Sequence, residues 1–170
     1  MKSNYKILPL SDDFINRLQP HEIESITMKP YKLSDLYIYA HKSYLDKIPD
    51  KYIEIDGFGG VLYFPIKYGP IYRTLESDNY SIYEDYFSHR KNGKTVEFFK
   101  KQIEYIRKTG YDKNNLIVIN KTIQKILGHT IINDGHHRAS ILMYLFGDLK
   151  INIAEMEKPN DETVILSQRK

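Results

Sequence analysis

The stretch Ile131-Ile132-Asn133-Asp134-Gly135-His136-His137-Arg138-Ala139-Ser140-Ile141-Leu142 constrains the fold of this chain more than any other. Ile131 and Ile132 read as a buried strand and the residues past Asp134 as a helix, so the backbone must reverse between them. Gly135 can do this, because without a Cβ it takes up positive φ at no steric cost. Ala139, Leu142, Met143 and Phe146 then recur at helical spacing, which predicts a helix over 139–146 with that stripe buried and Gly147 at its end. The first turn of a helix lacks intrahelical acceptors for its N–H groups and carries the positive end of the macrodipole. His136, His137 and Arg138 gather at that place, which suits an anion. Taken singly, each has a plainer structural role: Asp134 as a cap, one histidine packed, Arg138 paired with a carboxylate. Taken as a set, they point to function.

Composition narrows the alternatives. With 170 residues there is room for one domain and a real core, and a net charge of +3 does not call for a large nucleic-acid footprint. Cysteine is absent, which removes thiolate metal ligands, cysteine nucleophiles and disulfides together. No apolar run approaches membrane-spanning length, so the expectation is a cytoplasmic protein with no membrane partner. The fifteen tyrosines resemble a stacking surface for single strands, but abundant Lys, Ile and Asn alongside them make compositional bias the simpler reading.

Along the chain, Pro9, Pro20 and Pro30 disfavour long helices over 1–35, and Ile23, Ile26 and Met28 fit a strand or short helix. Leu36, Tyr39, Ala40 and Tyr44 predict a helix over 36–47, stopped by Pro49. Tyr52–Asp56 and Val61–Ile66 read as strands, joined through Gly57, Gly59 and Gly60 as a hairpin connection. Arg73, Glu76 and Asp78 form a second polar constellation, in which Arg73 offers a fork for a carboxylate or phosphate and Glu76 a base. Tyr80, Tyr83, Tyr86 and Phe87 make an aromatic helical face. Past a polar loop over 89–94, Thr95 caps a helix whose face is Val96, Phe99, Ile103 and Ile106, with Gly110 at its end. Leu116–Ile119 predicts a strand buried on both faces, Ile123–Leu127 and Thr130–Ile132 a hairpin turning at Gly128-His129, and Ile151–Ala154 a last strand. The expected fold is α/β, a small mixed sheet with flanking helices. Residues 1–94 form an N-terminal elaboration packed on a core over 95–157, followed by a frayed tail over 158–170.

This order, with the strand-Asp-Gly-His-His-Arg-helix signature, resembles the ParB/sulfiredoxin-like superfamily, over about residues 95–155 and less clearly back to Tyr68. That superfamily includes partition CTPases, sulfiredoxins and free-amino-acid kinases. The Asp-Gly-His-His-Arg form is most similar to the kinase branch. Sulfiredoxins carry a cysteine in this turn, which the chain lacks, and partition proteins follow the core with a helix-turn-helix module not found before Lys170, so sequence-specific DNA binding is not expected.

The resemblance implies a nucleotide-dependent phosphotransferase acting on a small hydroxylated metabolite, with ATP, ADP or CTP and Mg²⁺ as cofactors. Gly135, His136, His137, Arg138 and Ser140 would bind the nucleotide, Asp134 with His136 or His137 would serve the chemistry, and Asp134 is the residue open to Mg²⁺. Glu76 and Glu22 are rival bases, and Arg73 would grip the substrate. On this reading Arg138→Ala loses nucleotide affinity and keeps its melting temperature. Two alternatives are a nucleotide- or nucleic-acid-binding regulator without catalysis, and metal-dependent hydrolysis through His129, His136 and His137. Adjacent histidines diverge around a helix, which disfavours the latter.

Overall fold

The computed structural model describes residues 25–53, 61–88 and 94–157. Six strands form one mixed sheet in the order β1-β6-β4-β5-β2-β3. They are β1 (Ser25–Lys32), β2 (Leu36–His41), β3 (Val61–Pro65), β4 (Val118–Asn120), β5 (Thr130–Asp134) and β6 (Lys150–Glu157). Five α-helices accompany them among the described residues: α1 (Pro70–Ser77), α2 (Tyr80–Phe87), α3 (Val96–Thr109), α4 (Lys121–Leu127) and α5 (His136–Phe146). None is long and apolar enough to cross a membrane. The β4/β6 and β2/β5 pairs are parallel and the others antiparallel. Strands from 25–65 therefore share one sheet with those from 118–157. Pro30 falls in β1, an edge strand, where its missing N–H costs no ladder bond.

The strand read at Leu116–Ile119 forms as β4 over Val118–Asn120, and the apolar run from Leu116 to Ile119 is buried on both sides. Ile117 and Ile119 pack into the main core with Phe99, Ile103, Ile132, Ile141 and Leu142, while Leu116 and Val118 join Ala154 and Met156 in a second cluster. Burial of each such Leu or Ile stabilises the fold by about 1.5–3 kcal/mol.

Four expectations are corrected. Leu36–Lys47 is not a helix: β2 ends at His41 and a 3-10 turn follows over Lys42–Lys47. Leu36, Ile38 and Ala40 are buried in alternation, and strands on both sides, β5 and β3, satisfy the backbone, so period two prevails over the helical spacing. The hairpin arm at Ile123–Leu127 is helix α4, because Asn120 Oδ1 caps it at Thr122 N (3.0 Å) and Ile123 N (3.2 Å), and Gly128 closes it in the left-handed region. Helix α5 starts at His136, not 139, and is buried through its amino-terminal half, leaving Phe146 44% exposed. The strand expected at Tyr52–Asp56 begins as a 3-10 turn over Asp50–Tyr52, and its remainder lies outside the described residues with Gly57, Gly59 and Gly60. Helix α3, capped by Thr95 Oγ1 accepting from Phe98 N at 3.0 Å, buries the expected Phe99, Ile103 and Ile106.

Candidate functional site

Gly135 is the N-cap of α5 at φ +104°, and a Cβ there would stand 3.2 Å from Ile117 Cα, so both conformation and space demand glycine. This packs the start of α5 directly on Ile117 at the entry of β4. The turn opens on a cleft of about 390 Å³. Three helices begin on its wall: α1 through Pro70 and Ile71, α3 through Lys94 and Phe98, and α5 through Gly135, His136, His137 and Arg138. Gly69 allows the first of these approaches, since a Cβ there would meet Ile38 Cδ1 at 2.1 Å. Tyr39, Tyr86, Phe87, Gln102, Asn115, Asn133 and Asp134 complete the lining. The starts of α1 and α5, the residues just before and within α3, Lys94 and the paired Arg138 and Asp134 share this wall, so beyond that ion pair the local field of Lys94 and the helix starts favours an anion.

The turn residues divide by role. Arg138 is 11% exposed and holds the chain together: Nη1 donates to the Asn115 carbonyl, to Asn115 Oδ1 (2.6 Å) and to the Leu116 carbonyl (2.9 Å), and Nη2 donates to Asp134 Oδ2 (2.9 Å). The expectation that Arg138→Ala keeps its melting temperature is therefore corrected, because the guanidinium ties α5 to the entry of β4. Its charge still reaches the cleft wall. His136 Nε2 donates to the Ile132 carbonyl at 2.9 Å, which fixes the proton on that nitrogen in the neutral ring. His137 is buried, shares a 2.9 Å hydrogen bond with Tyr83 Oη, and sits among Tyr83, Phe87, Phe98 and Phe99. Ser140 is corrected as a cofactor ligand: it is fully buried, does not line the cleft, and donates to the His136 carbonyl at 2.8 Å. Asp134, 46% exposed, keeps an oxygen for a further partner beyond Arg138.

The second constellation does not join the first. Arg73 donates to Tyr44 Oη at 3.0 Å and stacks over that ring at 6.0 Å, while Glu76 is exposed. Neither lines the cleft, so Glu76 as its base and Arg73 as its substrate grip are corrected. Burial raises the Tyr44 hydroxyl pKa, and the Arg73 hydrogen bond partly offsets this. Glu22 lies outside the described residues. His129 packs on Tyr37 with ring centroids 4.5 Å apart, whereas His136 meets Tyr39 and His137 meets Tyr83, and no group of three or more metal-ligating side chains forms among the described residues.

The sequence reading missed Lys94, Phe98 and Gln102 as wall residues. Phe98 and Gln102 stand four apart on one face of α3, Lys94 comes just before its Thr95 cap, and Phe98 lies off the buried stripe at 38% exposure. That off-stripe aromatic beside a lysine was a usable signal. Gln102 Oε1 is buried without a hydrogen-bond partner among the described residues. Behind the wall, the Tyr111 hydroxyl accepts from Ile117 N (3.0 Å) and donates to the Asn152 carbonyl (2.7 Å), and burial pushes its pKa to about 12.

Comparison with protein-family models, curated proteins and solved structures returned no match for this chain. The ParB/sulfiredoxin-like likeness thus rests on the Asp134–Arg138 motif and on an element order in which helix α4 replaces the expected hairpin arm. What the fold and site define is a mixed α/β protein with an anion-favouring cleft at a strand-glycine-helix turn.

Proposed function

We propose that the cleft binds a nucleotide with its phosphates at the amino end of α5, and that the protein is a nucleotide-dependent phosphotransferase acting on a small hydroxylated metabolite. The observation that carries this reading is the convergence of three helix amino ends, Lys94 and Arg138 on one cleft of about 390 Å³. That volume lies within the range of small-molecule and cofactor sites. The reaction class comes from the likeness of Asp134–Arg138 to the kinase branch of the superfamily. ATP, ADP and CTP are the candidate donors. Asp134 fits Mg²⁺, which is commonly held by one or two carboxylates with phosphates and water supplying the rest, and which neutralises charge on the transferred group.

Asp134 is the only carboxylate among the described residues lining the cleft, so it takes over the role first read for Glu76. Lys94 and the start of α5 hold phosphate oxygens, and Arg138 contributes charge through the wall. The second reading, a nucleotide-binding regulator without chemistry, is favoured by one observation: one oxygen of the Asp134 carboxylate is already taken by Arg138 at 2.9 Å.

The test is incubation with ATP, ADP or CTP, Mg²⁺ and a panel of amino acids, amino alcohols and sugars, followed by ³¹P NMR. A new phosphomonoester is expected, lost in Asp134→Asn while nucleotide binding persists. Saturable binding with no product across the panel selects the regulator. Absence of binding by every nucleotide overturns both.

A further inference from the structure

We propose that Tyr39 and Phe98 are the nucleobase-binding walls of this cleft, and that His136 and His137 are the positioning residues that hold those two rings. The inference rests on the nucleotide reading of the same cleft and adds which side chains recognise the base.

Successive residues of a helix point about 100° apart, so adjacent imidazoles at its start diverge. His136 turns toward β2. Its Nε2 is anchored on the Ile132 carbonyl at 2.9 Å, and its ring meets Tyr39 edge-to-face, with centroids 4.7 Å apart and planes at 80°. His137 turns toward α2 and α3. It is anchored at 2.9 Å on Tyr83 Oη and meets Phe98 edge-to-face at 6.2 Å and 78°. Each histidine is fixed by a polar contact; His136 backs Tyr39, and His137 backs Phe98 as one of the four rings it packs with.

Of the rings the two histidines touch, Tyr39 and Phe98 line the cleft and remain exposed, at 37% and 38%. Phe87, also on the wall, is 5% exposed and spent on Tyr83 and His137. A single exposed aromatic needs no explanation. Two on one cleft, each held by an anchored imidazole, make a preorganised stacking surface beside an anion-favouring helix start. A nucleoside phosphate presents both of the matching groups, a planar π-face and a chain of anionic oxygens. Lys94 Nζ, 5.3 Å over the Phe98 ring, brings a cation to the junction between the two.

The chain contains no tryptophan, so Phe98→Trp installs a single indole reporter at the wall. The full-length protein is titrated with ATP, ADP and CTP, and separately with pyrophosphate, by fluorescence and calorimetry. The expected result is indole quenching by at least one nucleotide and not by pyrophosphate. That nucleotide should bind about tenfold or more tightly than pyrophosphate, an advantage that Tyr39→Ala and Phe98→Ala each reduce severalfold. His136→Ala should lower the same ratio and His136→Phe, which keeps a ring edge against Tyr39, should restore it. The ratio is insensitive to partial unfolding, which weakens both ligands alike. Equal affinities without quenching, and a ratio unmoved in Tyr39→Ala, overturn the base walls while the phosphate reading stands. Failure of pyrophosphate and every nucleotide to bind overturns the nucleotide reading, and this inference with it.

Discussion

The turn from Asp134 to Arg138 and the segment from Arg73 to Glu76 look alike as sequence, each pairing an arginine with a carboxylate three or four residues away. Folded, they differ in what stands behind them. Arg138 is driven inward because Gly135 seats the start of α5 on Ile117, which puts the guanidinium against the carbonyls of Asn115 and Leu116. Arg73 lies on a helix whose buried face is Pro70, Ile71, Thr74 and Leu75, so it lies flat on Tyr44 and Glu76 is left to solvent. Residue type is shared; only the first constellation is placed by the backbone on a cleft.

The largest expected effect separates the two arginines. Arg138→Ala strands two main-chain carbonyls and the Asp134 carboxylate, and should destabilise the protein by about 3–4 kcal/mol in urea unfolding. Arg73→Ala should cost about 1 kcal/mol, since it loses one hydrogen bond and a cation–π contact. Equal losses would erase the distinction. Next in size, Gly135→Ala forces a side chain into a left-handed conformation against β4 and should cost about 2–3 kcal/mol, whereas Glu76→Ala should stay within about 0.5 kcal/mol. One further effect has the opposite sign. Gln102→Leu removes an unpartnered buried oxygen and should stabilise the protein by about 1 kcal/mol or less, while weakening ligand binding in the cleft.

Much of the fold was legible wherever one local signal acted alone. Thr95 and Gly110 bracket α3, the apolar run at 116–119 fixes the central strand, and Gly135 fixes the turn. Legibility failed where two periods fitted the same residues. Leu36–His41 satisfies both helix and strand spacing, and only its pairing with β5 and β3, distant in sequence, decides it. Ile123–Leu127 reads as a hairpin arm by its apolar run, although Asn120 and Gly128 bracket a short helix there.

The site was legible to the same extent. Asp134, Gly135, His136, His137 and Arg138 do line a cleft, because they are consecutive and one turn carries them all. The far wall, with Tyr39 from β2, Lys94 just before α3 and Phe98 and Gln102 from α3, depends on how separate elements pack, which spacing within one segment does not encode. The roles of Arg138 and Ser140 turned structural for a related reason: both point into the protein, where carbonyl oxygens compete with any ligand for their donors.

The central claim is that phosphate oxygens are received at the amino end of α5 and not at the Arg73 segment. Titration of Mg·ATP, Mg·ADP and Mg·CTP into ¹⁵N-labelled protein tests it most directly. The account predicts saturable movement of the Gly135, His136, His137 and Arg138 amide signals for at least one nucleotide, with Arg73–Glu76 unmoved. Signals at 135–138 that stay fixed for every nucleotide, or movement centred on 73–76, would contradict it.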